Sequence, residues 1–108
     1  MSDDERRKCP RYPVDIPAQL SSGGESFPAQ IKDICRDAVL LECQRGLALE
    51  ATVALTMDLP GPDCPPQVMG RVIRLVRGEG NARRMAVLFT SSSPAAATAI
   101  DFFLALQD

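Results

Sequence analysis

Apolar and polar residues alternate with a period of two through most of this 108-residue chain. Val14, Ile16, Ala18 and Leu20 fall on one face, with Asp15 and Gln19 among the residues between them. That is the pattern of a half-buried strand. Ser21-Ser22-Gly23-Gly24-Glu25 is a turn cluster, after which Phe27, Ala29 and Ile31 alternate again, so residues 13–34 predict a hairpin. The stretch Asp33-Ile34-Cys35-Arg36-Asp37-Ala38 breaks the rhythm before Val39, Leu41 and Cys43 resume it, and Gln44-Arg45-Gly46 closes that third strand. A connection through Leu47 and Leu49 leads to a fourth strand on Val53, Leu55 and Met57. Pro60, Pro62, Pro65 and Pro66 lack backbone donors, so residues 60–66 predict a surface loop. Two more strands follow, near residues 68–76 and 82–90, joined by the turn signal Gly78-Glu79-Gly80-Asn81. Six short strands in succession predict a mainly β protein, a six-stranded antiparallel barrel whose closure leaves no open edge.

The period changes at the end of the chain. Ser93 suits a helix cap and Pro94 the first helical position, predicting a C-terminal α-helix over about residues 94–107. Ala99, Phe102, Phe103 and Leu106 share a face that would pack on the barrel, with Thr98, Asp101 and Ala105 on the other. Any apolar remainder left exposed would suit a homodimer surface.

Composition narrows the function. Hydrophobic residues at 45% and charged ones at 24% describe one ordinary globular domain. The net charge of −2 argues against a polymeric nucleic acid as partner, so an anion would have to be held by local clustering. No apolar run is long enough to span a bilayer, and the first residues lack a secretory h-region, so a cytoplasmic location is expected. The four cysteines, Cys9, Cys35, Cys43 and Cys64, form no close pair and histidine is absent, which disfavours a zinc site. A disulfide framework is not expected in a reducing compartment, and Cys43 and Cys64 read as plain packed thiols. Without histidine the commonest general base is missing too. No nucleophile elbow or phosphate-cradling glycine loop stands in its place, so the chain reads as a non-enzyme.

Two stretches carry candidate chemistry. Arg6-Arg7-Lys8-Cys9-Pro10-Arg11 holds four of the twelve basic residues, on a flexible arm over residues 1–12 that precedes the domain at 13–108. Pro10 keeps a regular helix from running up to Arg11. Forked, permanently charged guanidinium groups suit phosphates and the O6/N7 edge of guanine. The second stretch is the interruption at Asp33, Cys35 and Ala38.

Together these motifs resemble the PilZ family, bacterial domains that bind the second messenger cyclic di-GMP. The family pattern is Arg-x-x-x-Arg on an N-terminal arm, then Asp/Asn-x-Ser-x-x-Gly, on a six-stranded barrel followed by a helix. Arg7-Lys8-Cys9-Pro10-Arg11 matches the first motif, and Asp33-Ile34-Cys35-Arg36-Asp37-Ala38 the second in altered form. Gly70-Arg71-Val72-Ile73-Arg74 and Ala86-Val87-Leu88-Phe89 are similar to the family's last two strands. The resemblance implies that Arg7 and Arg11 contact phosphate and guanine edges, and that Asp33 accepts from a guanine N1–H and amino group. Arg6 would add a cation favouring two stacked ligands. Arg36 and one of Arg71 or Arg74 are further candidates, with Arg74 in the expected set; the paired apolar residues beside them blur the register. Ligand would fold the arm over the barrel, and a protein partner would read the change.

The altered residues bear on affinity. Cys35 replaces the family serine with a weaker hydrogen-bonding group, a loss of about 1 kcal/mol. Ala38 replaces a glycine, at a further cost of about 1 kcal/mol if the site needs positive φ. The two leading readings are thus a cyclic di-GMP receptor and a PilZ-like adaptor that has lost the nucleotide and acts by protein contact alone, for instance in motility or pilus control.

Overall fold

Each predicted strand forms, and the elements follow the alternation that anticipated them. The computed structural model describes residues 11–61, 65–77, 80 and 82–107. Its strands are β1 (Tyr12–Ser22), β2 (Glu25–Ile34), β3 (Ala38–Cys43), β4 (Thr52–Met57), β5 (Gln67–Arg77) and β6 (Arg83–Ser92), followed by helix α1 (Pro94–Ala105). Strand β1 begins at Tyr12, one residue into the expected arm; residues 1–10, Cys64 and most of the β5–β6 turn lie outside the described residues. Gly23 and Gly24 carry φ of 60° and 84° in the β1–β2 hairpin, left-handed geometry that a two-residue loop demands and glycine adopts freely.

All neighbouring strands are antiparallel, and they close into a barrel in the order β1-β2-β3-β6-β5-β4. One face of each strand fills the interior. Leu20, Ile31, Leu41, Leu55, Met57, Met85 and Val87 are completely enclosed, and among the described residues no polar residue is buried. The registers place the start of β1, the end of β2, the start of β3 and the end of β6 at one end of the barrel. The β1–β2 turn, the end of β3 and the β5–β6 hairpin lie at the other.

Helix α1 closes the first end. The Ala96 amide donates to Ser93 Oγ at 3.1 Å, and Pro94 occupies the first turn. Ala96, Ile100 and Phe103 join the core cluster. The expected face was therefore partly wrong: Phe102 and Leu106 are 57% and 64% exposed. Spacings of four and three put residues 96, 100 and 103 on one line, whereas 102 and 106 point well away from it at about 100° per residue. The helix is apolar on a wider arc than the barrel end can cover. Among the described residues, no helix is long and apolar enough to cross a membrane.

At the opposite end the closure is incomplete. Strand β4 pairs with β5 only as far as Arg71, and the Val72 backbone is met by Glu50 and Ala51 of the β3–β4 connection. From Ile73 to Arg77, β5 pairs with β6 alone among the described strands.

Candidate functional site

Strict alternation would have turned Asp33 inward, because it lies two residues after the enclosed Ile31. It does not. The β2–β3 register slips between Ile31 and Asp33, so Lys32 is an extra residue, Asp33 stands opposite Leu40, and Ile34 enters the core opposite Val39. A bulge of this kind flips every following side chain to the other face. Lys32 pairs with Asp15 at 3.2 Å.

Asp33 meets Arg11, the residue immediately ahead of β1. Arg11 Nη2 donates to Asp33 Oδ2 at 2.6 Å and Nε donates to the same oxygen at 3.2 Å. That hydrogen bond, and then the carboxylate's charge, hold the guanidinium proton above its ordinary pKa. The other carboxylate oxygen, Oδ1, is buried without a hydrogen-bond partner among the described residues. A buried acceptor left unmet is unfavourable, and a donor from outside the protein would relieve it.

The remaining candidates divide. Cys35 is a half-buried free thiol whose backbone N–H donates to the Ala38 carbonyl at 2.9 Å, closing the β2–β3 turn. Ala38 opens β3 opposite Leu88. Among the described residues Glu50 alone, apart from glycines, has positive φ, so Ala38 carries none of the strain that alanine suffers in a left-handed glycine position. Arg36 turns away from Asp33 toward Asp101 of α1, at 3.5 Å, beside a cleft of about 330 Å³ that Phe89 and Ile100 also line. Arg6 and Arg7 lie outside the described residues.

Arg74 is joined to Asp33 by the sheet itself. A second bulge, between Val72 and Arg74, makes Ile73 the extra residue and sets Arg74 opposite Ala86. Leu40 also faces Ala86 across β3 and β6. Asp33, Leu40, Ala86 and Arg74 therefore form one outward row across four strands, roughly 14 Å long at three inter-strand spacings. Arg71 is outward one row over, but pairs with Glu50 at 3.4 Å. Arg74 makes no ion pair among the described residues. Leu40 and Ala86, the half-buried floor between the two charges, are candidate site residues that lay outside the expected set. Their position between the buried pairs Val39/Leu41 and Met85/Val87 was the available signal. The arrangement offers a carboxylate acceptor and a cation at the ends of an apolar strip, suited to a ligand with flat faces, hydrogen-bond donors and negative charge.

A PilZ domain family model matches residues 5–106. A search of curated protein sequences finds no match. Among solved structures, the chain is similar to the Bacillus subtilis inhibitor of motility MotI/DgrA, with a TM-score of 0.78 at 16% identity over 94% of this chain and 51% of that one. It thus spans about half the length of that protein. It is also similar to the PilZ domain of Escherichia coli YcgR with c-di-GMP, with a TM-score of 0.71 at 14% identity over 94% of this chain and 92% of that one. The PilZ domain of CeSA from a cellulose-synthesizing bacterium gives a TM-score of 0.67 at 16% identity, over 92% and 99% of the two chains. At such identities these likenesses establish the fold alone. Matched by the family model over nearly its whole length, and folded as the family's barrel and helix, the chain belongs to the PilZ domain family.

Proposed function

We propose that this domain is a cyclic di-GMP receptor whose ligand lies on the outward face of β2, β3, β6 and β5. The observation that carries the reading is the buried, unpartnered Oδ1 of Asp33, held in place by Arg11 on the other oxygen. Guanine presents an N1–H and an amino group side by side, and Oδ1 can take one, with Arg11 still on Oδ2, once the atoms that enclose it move aside. Displacing Arg11 to take both costs little, since partly exposed ion pairs contribute about 0–1 kcal/mol. Arg11, once released, is free for phosphate or for stacking on a base. Arg74 supplies charge at the far end of the row, and Arg6 and Arg7 of the arm would add phosphate contacts and favour a stacked ligand pair. No bond is made or broken; the arm's movement is the signal that a protein partner reads.

Supporting structures include the YcgR PilZ domain with c-di-GMP and a complex of K. pneumonia MrkH with c-di-GMP. Isothermal titration with cyclic di-GMP tests the reading. Binding in the low-micromolar range or tighter, lost in Arg7→Ala and in Asp33→Ala, is the expected result. Absence of heat at high ligand concentration would overturn it. That result would favour the adaptor reading, which draws support from Cys35 and the neutralisation of Arg11 by Asp33. The exposed Phe102 on α1 and Leu106 just beyond it support a homodimer as one output. Sedimentation of the wild type against Phe102→Glu tests it, with a lighter species expected from the variant.

A further inference from the structure

The last five residues of β5 depart from the one-sided burial that holds through the middle of each strand. From Ile73 to Arg77 both faces are exposed. Ile73, Leu75 and Val76 are 42%, 50% and 38% exposed on a strand whose second edge has no partner among the described residues. An apolar edge with unpaired backbone groups is a template for another strand. Beside it lies a cleft of about 950 Å³, with Leu47, Leu75 and Val76 for its apolar part and Arg45, Arg77 and Arg83 for its charge.

The charge is unbalanced. Arg77 and Arg83 stand directly opposite each other across β5 and β6, a like-charge pairing that destabilises a sheet. Neither has a carboxylate partner among the described residues, whereas Arg45 is paired with Glu25 and Arg84 with Glu42. Between residues 71 and 84 the sequence holds five arginines and one glutamate, although the whole chain carries a net −2. Gly46 adds to the arrangement. A Cβ there would sit 2.7 Å from Arg83 Cδ, so glycine lets that side chain lie across the cleft wall.

We propose that the free edge of β5 at Ile73–Arg77 is a docking strand for an extended, acidic segment of a partner protein. Backbone groups of the segment would complete the edge. Its apolar side chains would cover Ile73, Leu75 and Val76, and its carboxylates would lie alongside Arg77, with Arg83 on the next strand adding its charge. A second copy of this chain fits poorly, since edge-to-edge pairing would gather Arg74, Arg77 and Arg83 of both copies along one seam. A small anion would leave the apolar side chains uncovered.

The test needs no nucleotide and so stands apart from the receptor reading. The probe is an acetylated, amidated octapeptide alternating glutamate with valine or threonine, titrated into the isotope-labelled protein and followed by amide chemical shifts. A lysine-for-glutamate peptide is the control. Expected are shifts confined to residues 73–77 and 83–84, slowed amide exchange along β5, and an affinity that falls about tenfold or more on raising salt from 50 to 500 mM, as screening requires. Arg77→Glu with Arg83→Glu should abolish binding of the acidic peptide and admit the basic one. Arg77→Gln with Arg83→Gln, a milder change, should weaken binding without reversing it. Equal binding of both peptides, no shifts at β5, or self-association that disappears in the Arg77 and Arg83 variants would each overturn the proposal.

Discussion

Asp33 and Arg11 are 22 residues apart in sequence yet share one oxygen at 2.6 Å, with side chains 20% and 38% exposed. A pair so accessible to water contributes about 1 kcal/mol or less. Arg11→Ala should therefore leave the denaturation midpoint nearly unchanged while weakening any nucleotide response, a separation that urea unfolding and titration together would reveal. At Cys35 and Ala38 the expectations diverge. Cys35→Ser restores a good hydrogen-bonding group and should tighten cyclic di-GMP binding several-fold, by about 1 kcal/mol. Ala38→Gly should not tighten it, because Ala38 lacks positive φ and its replacement releases no strain. Glycine at the start of a strand should instead lower stability by about 0.5–1 kcal/mol. Cys43 gives a pH dependence. Burial raises its thiol pKa above the ordinary value, opposed only in part by the Arg45 backbone and the charge of Arg83. The folded state thus holds that proton more tightly than the unfolded chain. Its contribution is complete below the unfolded thiol's pKa of about 8.5 and is lost as pH rises through the higher folded value. Unfolding at pH 7 and pH 10 should show a larger alkaline loss for the wild type than for Cys43→Val.

At the level of elements, the two bulges decide which charges face water. Lys32 turns Asp33 out, and Ile73 does the same for Arg74. Where β5 runs beside β6, Gly70 is required for a steric reason. A Cβ would lie 2.6 Å from Val87 Cγ1 and 2.8 Å from the Leu88 carbonyl oxygen, and a backbone atom in a ladder cannot easily withdraw. Gly70→Ala should cost about 1–3 kcal/mol in a chemical denaturation experiment. Much of this was legible beforehand. Period-two alternation gave all six strands, and Ser93-Pro94 marked where the helix begins. The Arg-x-x-x-Arg and Asp-x-Cys motifs picked out Arg11 and Asp33, which do meet. The remainder depended on register, a property of two strands together. No periodicity in β5 alone could reveal that Ile73 is bulged. Nor could the helix pattern say which edge of a wide apolar arc the barrel would cover, so Phe102 and Leu106 were placed inward.

For the molecule as a whole, the strand order β1-β2-β3-β6-β5-β4 makes some contacts cheap to form and others expensive. Strands β1 and β2 are joined by two residues, and β5 and β6 by a short turn. The β3–β6 seam, by contrast, ties residue 38 to residue 88, the largest separation between paired strands in the ring. Contacts so distant in sequence are slow to form, because the chain between them must first give up its freedom. The candidate ligand row crosses that very seam, at Leu40 and Ala86. A nucleotide bound there would recognise only a ring already shut. It should leave the refolding rate almost untouched and slow unfolding in proportion to ligand concentration, acting on the domain's lifetime rather than on its assembly.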